Sequence, residues 1–173
     1  MKIYPSFTDI RSHLSHKFFT LRTDARRDAR WAKLLGRNVK LAIFPEEAPE
    51  KIPGRKFIGT EVVHLEQIVG TICRQSDFDH KFRPLHKRLR DRWINVYLTL
   101  ERDGWSPILV HKIGEDYYVE DGHYRLSIAQ ALGVVLIPAQ VWEYPSEVKK
   151  GEQCQPEPCP EHASAEVYAG AAE

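Results

Sequence analysis

The sequence lacks any long hydrophobic run and contains few cysteines. Apolar residues make up 42% of the chain, yet no stretch approaches the roughly 18 uninterrupted apolar residues of a membrane-spanning helix. Residues 1–5 lack the apolar core of a signal peptide. The three cysteines form no disulfide framework, because Cys73 stands alone and Cys154 and Cys159 lie in a tail rich in Pro and Glu. We therefore expect a cytoplasmic protein, in a reducing compartment and without a membrane partner.

Motifs for metal or thiol chemistry are equally scarce. The eight histidines are scattered, and none has the H-E-x-x-H spacing of a metalloprotease. The tail offers Cys154, Cys159 and His162, which are fewer ligands than a structural zinc site uses and lie in a segment with no core. Cys73 lies in an apolar run, where a cysteine is more often a small buried hydrophobe than a nucleophile. We therefore expect Cys73 to be structural and the tail to bind no zinc.

The net charge of +1 hides an uneven distribution along the chain. Basic residues dominate residues 11–40, and acidic residues dominate the chain after Trp142. A basic arm and an acidic tail could bind an anionic partner, bind each other or keep the protein soluble. The tail consists mainly of Pro, Glu, Ala and Ser, which cannot bury a core, so we expect it to be disordered.

The chain of 173 residues is long enough for one well-packed core and too short for two ordinary domains. The pattern predicts a single α/β domain of the α+β kind, with a mixed sheet and short helices. We place a basic N-terminal extension at residues 1–56, the domain at residues 57–144 and the disordered acidic tail at residues 145–173.

The extension is predicted to contain a helix and a strand. Residues 23–36 have a helical pattern that puts Trp31, Leu34 and Leu35 on one side. We expect this basic helix to dock on the domain. Residues 39–44 have the composition of a strand.

The domain begins with a β-rich segment at residues 57–63. From Pro84 onwards, apolar residues recur every three to four positions, which predicts an amphipathic helix that ends at Asp103. The remaining predicted elements are a β-hairpin at residues 107–112 and 117–120, a short helix at residues 126–132 and a closing strand at residues 137–142.

The turn D-G-H-Y-R at residues 121–125 carries the strongest chemical signal. Gly122 separates a strand from a helix and allows a ligand or another backbone to come close. The helix after it begins with unpaired N–H groups and a partial positive charge, which together favour an anion. His123 and Arg125 add side-chain donors, and Asp121 could hold a metal ion or accept a proton.

A structural alternative is open for the same turn. Asp121 would cap the helix, Arg125 would pair with Glu120, and His123 would be a solvated surface residue. The local sequence fits both alternatives equally well.

Residues 118–133 and 137–141 resemble the ParB/sulfiredoxin superfamily in the order of their parts: a hairpin strand, a D-G-H-x-R turn, a short helix ending in L-G, and a closing strand. The strand at residues 107–110 and the stretch at residues 74–79 are similar to earlier motifs of the family. The likeness covers about half of the chain, residues 57–144. It implies a compact mixed-sheet domain in which the turn binds nucleotide phosphates.

Members of this superfamily differ in activity, and the chain departs from two of them. Sulfiredoxins have a nucleophilic cysteine just after the glycine, where this chain has His123. Chromosome-partitioning ParB proteins continue into a helix-turn-helix DNA reader, and we expect none in the short acidic segment after Trp142. The turn is most similar to that of stand-alone members resembling free serine kinases, D-G-H-H-R, with Tyr124 in place of the second histidine.

The resemblance implies a nucleotide (ATP, ADP or CTP) with Mg²⁺, or another phosphorylated small molecule, as the ligand. If the protein is an enzyme, we expect a Mg²⁺-dependent phosphotransferase or a phosphodiesterase or nuclease. The implied catalytic residues are Asp121, His123, Asp77 and Asp79. The implied ligand-binding residues are Gly122, His123, Tyr124, Arg125 and Arg74. The implied metal ligand is Asp121. The alternative is a non-enzymatic adaptor that binds DNA or RNA backbone through its basic helices. The sequence does not indicate an oligomeric state.

Overall fold

The computed structural model describes residues 7–45 and 52–145. Over these residues the chain forms a mixed six-stranded sheet with three α-helices, which is the predicted α+β fold. Apart from Pro145, the tail that we expect to be disordered lies outside the described residues. None of the helices in these ranges is both long enough and apolar enough to cross a membrane.

The helices are α1 (Phe7–Leu34), α2 (Arg90–Asp103) and α3 (His123–Leu132). The strands are β1 (Ala42–Ile43), β2 (Lys56–His64), β3 (Ile68–Thr71), β4 (Ile108–Ile113), β5 (Asp116–Asp121) and β6 (Leu136–Tyr144). They are arranged in the order β1-β3-β5-β4-β6-β2. Strand β4 is antiparallel to β5 and β2 to β6, whereas the β1–β3, β3–β5 and β4–β6 pairs are parallel.

The main core lies between one face of the sheet and the helices. Val110 of β4 and Val119 of β5 are paired in register, and both are fully buried on that face. Phe18 of α1 and Trp93 of α2 meet above the sheet, with ring centroids 5.9 Å apart. Helix α1 therefore docks on the domain, as predicted, by packing against α2, and it shares the core. The division of the chain at residue 56 stays a prediction.

Helix α1 differs from the prediction in its start and in its buried side. It begins at Phe7 rather than at residue 23. The buried positions in its second half are Ala25 and Ala32, which lie two turns apart on one face. Trp31 and Leu34, which belong to the apolar side predicted from sequence, are 62% and 77% exposed. The small alanine side chains, not the large apolar ones, face the rest of the protein.

Strand β3 was not predicted as a strand from the sequence. The other elements agree with the sequence prediction to within a few residues, with two exceptions. Helix α2 begins at Arg90 rather than at Pro84, because a 3₁₀ turn at Lys87–Leu89 precedes it. Strand β1 is restricted to Ala42–Ile43 instead of residues 39–44. The hairpin β4–β5, helix α3 and the closing strand β6 are confirmed.

The topology brings four element ends together. Strands β3 and β5 are parallel neighbours, and Thr71 at the end of β3 is paired with Val119 of β5. Helix α3 follows β5 after Gly122, so its first turn lies beside the end of β3. Helix α2 packs against α3. Ligands commonly bind at the carboxyl ends of parallel strands, and here this edge is also where α3 begins.

Candidate functional site

A cavity of about 300 Å³ lies where β3, β5, α2 and α3 meet. Its lining residues are Cys73, Arg74, Arg92, Val96, Glu120, Asp121, Gly122, His123, Tyr124 and Arg125. The fold thus brings Arg74 together with the whole D-G-H-Y-R turn. The two other predicted site residues, Asp77 and Asp79, do not line this cavity. Its volume is at the lower end of the range of roughly 300–1,000 Å³ for ligand pockets.

Gly122 has a backbone conformation that favours glycine. Its φ is +115° and its ψ is 12°. A Cβ atom at this position would collide with Ile108, coming within 2.7 Å of the Ile108 Cβ. Gly122 therefore allows the start of α3 to pack closely against β4, and a side chain here would push the turn away from the sheet.

The start of α3 has no side-chain cap. Asp121 therefore does not cap this helix, in contrast to the structural alternative drawn from sequence. The first backbone N–H groups of an α-helix have no acceptor within the helix, and the helix dipole adds a partial positive charge there. The amides of His123, Tyr124 and Arg125 belong to this first turn and are available to an anion in the cavity.

His123 is buried, with 3% of its surface exposed, so it is not the solvated residue of the structural alternative. Its Nε2 lies 2.7 Å from Thr71 Oγ1. Its ring stacks on Phe78, with centroids 5.9 Å apart and an angle of 23° between the rings. Burial, followed by the nearby charges of Arg74 and Arg125, lowers the pKa of His123 from 6.5 to about 3. The imidazole is therefore neutral near pH 7.

Arg125 is tied to the loop before β4. Its Nη1 donates to Ser106 O at 3.1 Å, to Ser106 Oγ at 3.0 Å and to Pro107 O. Its Nη2 pairs with Asp121, and not with Glu120 as in the structural alternative. These contacts engage much of the guanidinium with protein acceptors. Arg125 thus holds the loop and the turn together at the edge of the cavity.

Two further arginines line the cavity with different partners. Arg74 Nη1 lies 3.2 Å from Asp77 Oδ2, and the Arg74 side chain is 27% exposed. Arg92 lies over the ring of Tyr124, with its Cζ 5.3 Å from the ring centroid. Within residues 7–45 and 52–145, no carboxylate pairs with Arg92. Arg92 is therefore the lining arginine whose guanidinium is available to an anionic ligand.

The predicted catalytic carboxylates Asp77 and Asp79 are both buried beside arginines. Asp77 accepts from Arg74 and from Arg88 Nη2. Asp79 Oδ1 accepts from the backbone N–H of Arg83 at 2.8 Å, and Asp79 Oδ2 accepts from Arg83 Nε at 2.9 Å. These contacts give Asp79 a structural role in closing the turn. The catalytic roles of both residues stay predictions.

Sequence reasoning missed four residues of this region. Arg92, Thr71 and Glu120 were not assigned to the site. Cys73 is half-buried rather than buried and lines the cavity, and its structural role stays a prediction. Thr71 had a weak signal, because Ser and Thr at the end of a strand often bond to the backbone of a following turn.

In the part of the chain that the structure describes, the predicted Mg²⁺ has no site built from protein groups alone. Among the described residues, no three His, Cys, Asp or Glu side chains cluster in a way that could hold a metal ion. The carboxylates that line the cavity are those of Asp121 and Glu120. Mg²⁺ is commonly bound by one or two carboxylates together with substrate phosphates. Asp121 fits this arrangement of a carboxylate and substrate phosphates, which requires a phosphate ligand.

Comparisons of this chain with protein-family models, with curated proteins and with solved structures found no match. The resemblance to the ParB/sulfiredoxin superfamily therefore depends on the motif at residues 118–141 and stays an expectation.

Proposed function

We propose that this chain binds a phosphorylated ligand in the cavity at the start of α3, and that a nucleotide is the leading candidate. One observation carries the proposal: the cavity joins an uncapped helix N-terminus to Arg92, which has no carboxylate partner among the described residues. Helix N-termini bind phosphate through backbone N–H groups. Arginine adds charge and a planar pair of donors that match phosphate oxygens.

The size and lining of the cavity suggest which part of the ligand it would hold. A volume of about 300 Å³ suits phosphate groups better than a complete nucleoside triphosphate. We place the phosphates at the first turn of α3 and at Arg92. Val96 and Tyr124 line the same cavity and offer apolar surface beside the phosphates. The sugar and base would extend outward from there.

Calorimetric titration tests this proposal. The full chain is titrated with ATP, ADP, CTP and GTP, each with Mg²⁺, and the titration is repeated with Arg92→Gln. Hydrogen bonds to charged groups contribute about 1.5–3 kcal/mol, so the variant should bind at least about tenfold more weakly. Arg90→Gln is the matched control. It removes the same charge from α2, but the Arg90 side chain is paired with Asp91 in the unaltered chain. An equal loss in both variants, or no binding by the unaltered chain, would contradict the proposal.

Arg125→Ala is a less direct test of the same site. The Arg125 side chain holds the loop at Ser106 and Pro107, so its removal disturbs the cavity wall as well as the positive charge. A loss of binding in that variant would not separate ligand contact from loop position. Arg92 has no such hydrogen bonds in the part of the chain that is described.

Phosphoryl transfer is the activity that the resemblance adds to binding, and Asp121→Asn separates the two. The Asp121 side chain is 76% exposed, so the substitution should leave the fold intact. A phosphotransferase that uses this carboxylate would lose Mg²⁺-dependent turnover. A binding protein would show no turnover before or after the change. It would bind the nucleotide up to a few-fold more tightly, because a negative charge near the phosphates is gone.

A second candidate function is binding of nucleic-acid backbone by α1. Arg26, Arg30 and Lys33 are exposed and follow one another at intervals of one helical turn, so they form one stripe. None of them forms an ion pair with another described residue. Electrostatic contacts of this kind bind phosphate backbone without reading sequence, and they weaken steeply as salt rises.

Fluorescence anisotropy with labelled DNA and RNA across a salt series tests this second function. The double variant Arg26→Gln/Arg30→Gln should lower both the affinity and the slope of log K against log salt. Arg102→Gln is a suitable single-charge control, because Arg102 is already paired with Asp103. Unchanged binding in the double variant would exclude the α1 stripe as the contact surface.

A further inference from the structure

We infer that Thr71 fixes His123 in the tautomer that carries its proton on Nδ1, so that the imidazole presents a permanent, uncharged hydrogen-bond donor to the oxygen of a phosphorylated ligand. The ligand part of this inference rests on the proposed function. The tautomer is a property of the free protein and can be measured without any ligand.

The hydroxyl of Thr71 accepts two hydrogen bonds from the backbone. Its Oγ1 accepts hydrogen bonds from the backbone N–H of Cys73 at 3.2 Å and from the backbone N–H of Arg74 at 3.1 Å. A hydroxyl oxygen has two lone pairs and one hydrogen. Both acceptor positions of Thr71 are therefore occupied by the turn that follows β3. Only its hydrogen remains to be placed.

The third contact of Thr71 Oγ1 is the 2.7 Å approach to His123 Nε2. Because both lone pairs are occupied, the hydroxyl donates and Nε2 accepts. The reverse arrangement would leave the Thr71 hydrogen without an acceptor, and Thr71 is fully buried. An unsatisfied buried donor costs roughly 1–3 kcal/mol. A neutral imidazole that accepts at Nε2 must carry its proton on Nδ1.

The Nδ1–H group is then left for the cavity. The single hydrogen bond of the His123 side chain, within the described part of the chain, is the one at Nε2. His123 is only 3% exposed and lines the cavity. One face of its ring stacks on Phe78. Because His123 lines the cavity, its Nδ1–H can donate to water there or to a ligand that brings an acceptor beside the uncapped helix start.

The surrounding groups define the chemistry of that ligand. Nδ1–H, the first-turn amides of α3 and the Arg92 guanidinium are all donors. A phosphoryl group presents acceptor oxygens in several directions and can satisfy them together. The two carboxylates that line the cavity already have partners, because Asp121 is paired with Arg125 and Glu120 Oε2 lies 2.6 Å from His111 Nε2. The selectivity expected of this part of the cavity is therefore for an oxyanion.

The same geometry gives His123 a binding role in place of the catalytic role implied by the resemblance. A general base needs a nitrogen lone pair that faces the substrate. The Nε2 lone pair is bonded to Thr71, and Nδ1 carries a hydrogen. The charges of Arg74 and Arg125 also oppose a second proton on the ring. Thr71 acts as a positioning residue, because it sets which nitrogen of His123 faces the cavity.

Long-range ¹H–¹⁵N correlation spectra of the ¹⁵N-labelled full chain test the tautomer directly. His123 is assigned by the signals that disappear in His123→Gln. At pH 7 we expect an unprotonated Nε2 and a protonated Nδ1. Thr71→Ser keeps the hydroxyl and should keep this pattern, whereas Thr71→Val removes it and should shift the population towards Nε2–H. A protonated Nε2 in the unaltered chain would overturn the inference, whether or not the variants fold.

Addition of ADP with Mg²⁺ to the same sample tests the donor role. The Nδ1–H resonance should shift and saturate together with the calorimetric binding curve. If ADP binds by calorimetry while Nδ1–H does not respond, the donor role is wrong although the proposed function stands. If no nucleotide binds, the proposed function and the donor role both fail, and the tautomer assignment is still decided by the ligand-free spectrum.

Discussion

Trp93 Nε1 donates a hydrogen bond of 3.1 Å to Ser127 Oγ, and both side chains are fully buried between α2 and α3. Helix α2 carries Arg92, and α3 begins with His123. The bond therefore links the two helices that supply opposite walls of the cavity. A buried polar pair of this kind fixes the helices relative to each other more specifically than apolar packing does.

Ser127→Ala should destabilise the protein by about 1–3 kcal/mol, because it leaves the Trp93 N–H buried without an acceptor. Urea denaturation followed by tryptophan fluorescence measures the change. Ser12→Ala makes the same chemical change at an exposed position of α1 and should stay within about 0.5 kcal/mol of the unaltered chain. Equal stability of the two variants would show that the Trp93–Ser127 bond does not hold the helices together.

Asp79→Ala should be among the most damaging substitutions of a charged residue. Removal of one partner from a buried ion pair typically costs about 3–5 kcal/mol, because the other charge is left buried. The Arg83 side chain is 9% exposed and would retain only its contact with Asp28. Urea denaturation measures the loss, and Asp91→Ala, at an exposed position, is the control. A variant of normal stability that loses nucleotide turnover would instead support the catalytic role implied by the resemblance.

The burial of His123 should make stability depend on pH. Its pKa of about 3 in the folded chain lies below the ordinary value of 6.5. Between these two values the unfolded chain binds a proton that the folded chain does not. The free energy of unfolding should therefore fall as the pH is lowered through this window, by at most about 1.4 kcal/mol per pH unit from this residue.

Comparison with His123→Gln isolates that contribution from the other titrating groups. The variant has no proton to gain, so its free energy of unfolding should decline less steeply between pH 6.5 and pH 4. Urea denaturation at half-unit intervals of pH gives both curves. If the two curves run parallel over this interval, His123 is not held neutral by the fold.

Local signals predicted the half of the fold that contains the turn. The β4–β5 hairpin, Gly122 and α3 follow from strand composition, a glycine and a short apolar helix, each of which acts over a few residues. The start of α1 could not be found in the same way. Its core contacts, such as that of Phe18 with Trp93, are formed with residues far away in the sequence. The second half of α1 docks through alanines, which give little hydrophobic signal.

The D-G-H-Y-R turn was identified from sequence, but the state of its side chains was not. Whether Arg125 contacts a ligand or a loop depends on Ser106, which precedes β4 and lies 19 residues before Arg125 in the sequence. The environment of His123 depends on Thr71, more than fifty residues earlier. Arg92 lines the cavity only because α2 packs on α3. Such long-range contacts are set by the tertiary structure, so residue types alone left the alternatives open.

The most direct test of the central claim is a ¹H–¹⁵N correlation titration of the full chain with nucleotide and Mg²⁺. Binding at the start of α3 predicts saturable shifts of the backbone amides of His123, Tyr124 and Arg125, because these N–H groups would donate to phosphate oxygens. Shifts confined to the α1 stripe at residues 26–33, or no shifts at all, would contradict a phosphate site in this cavity.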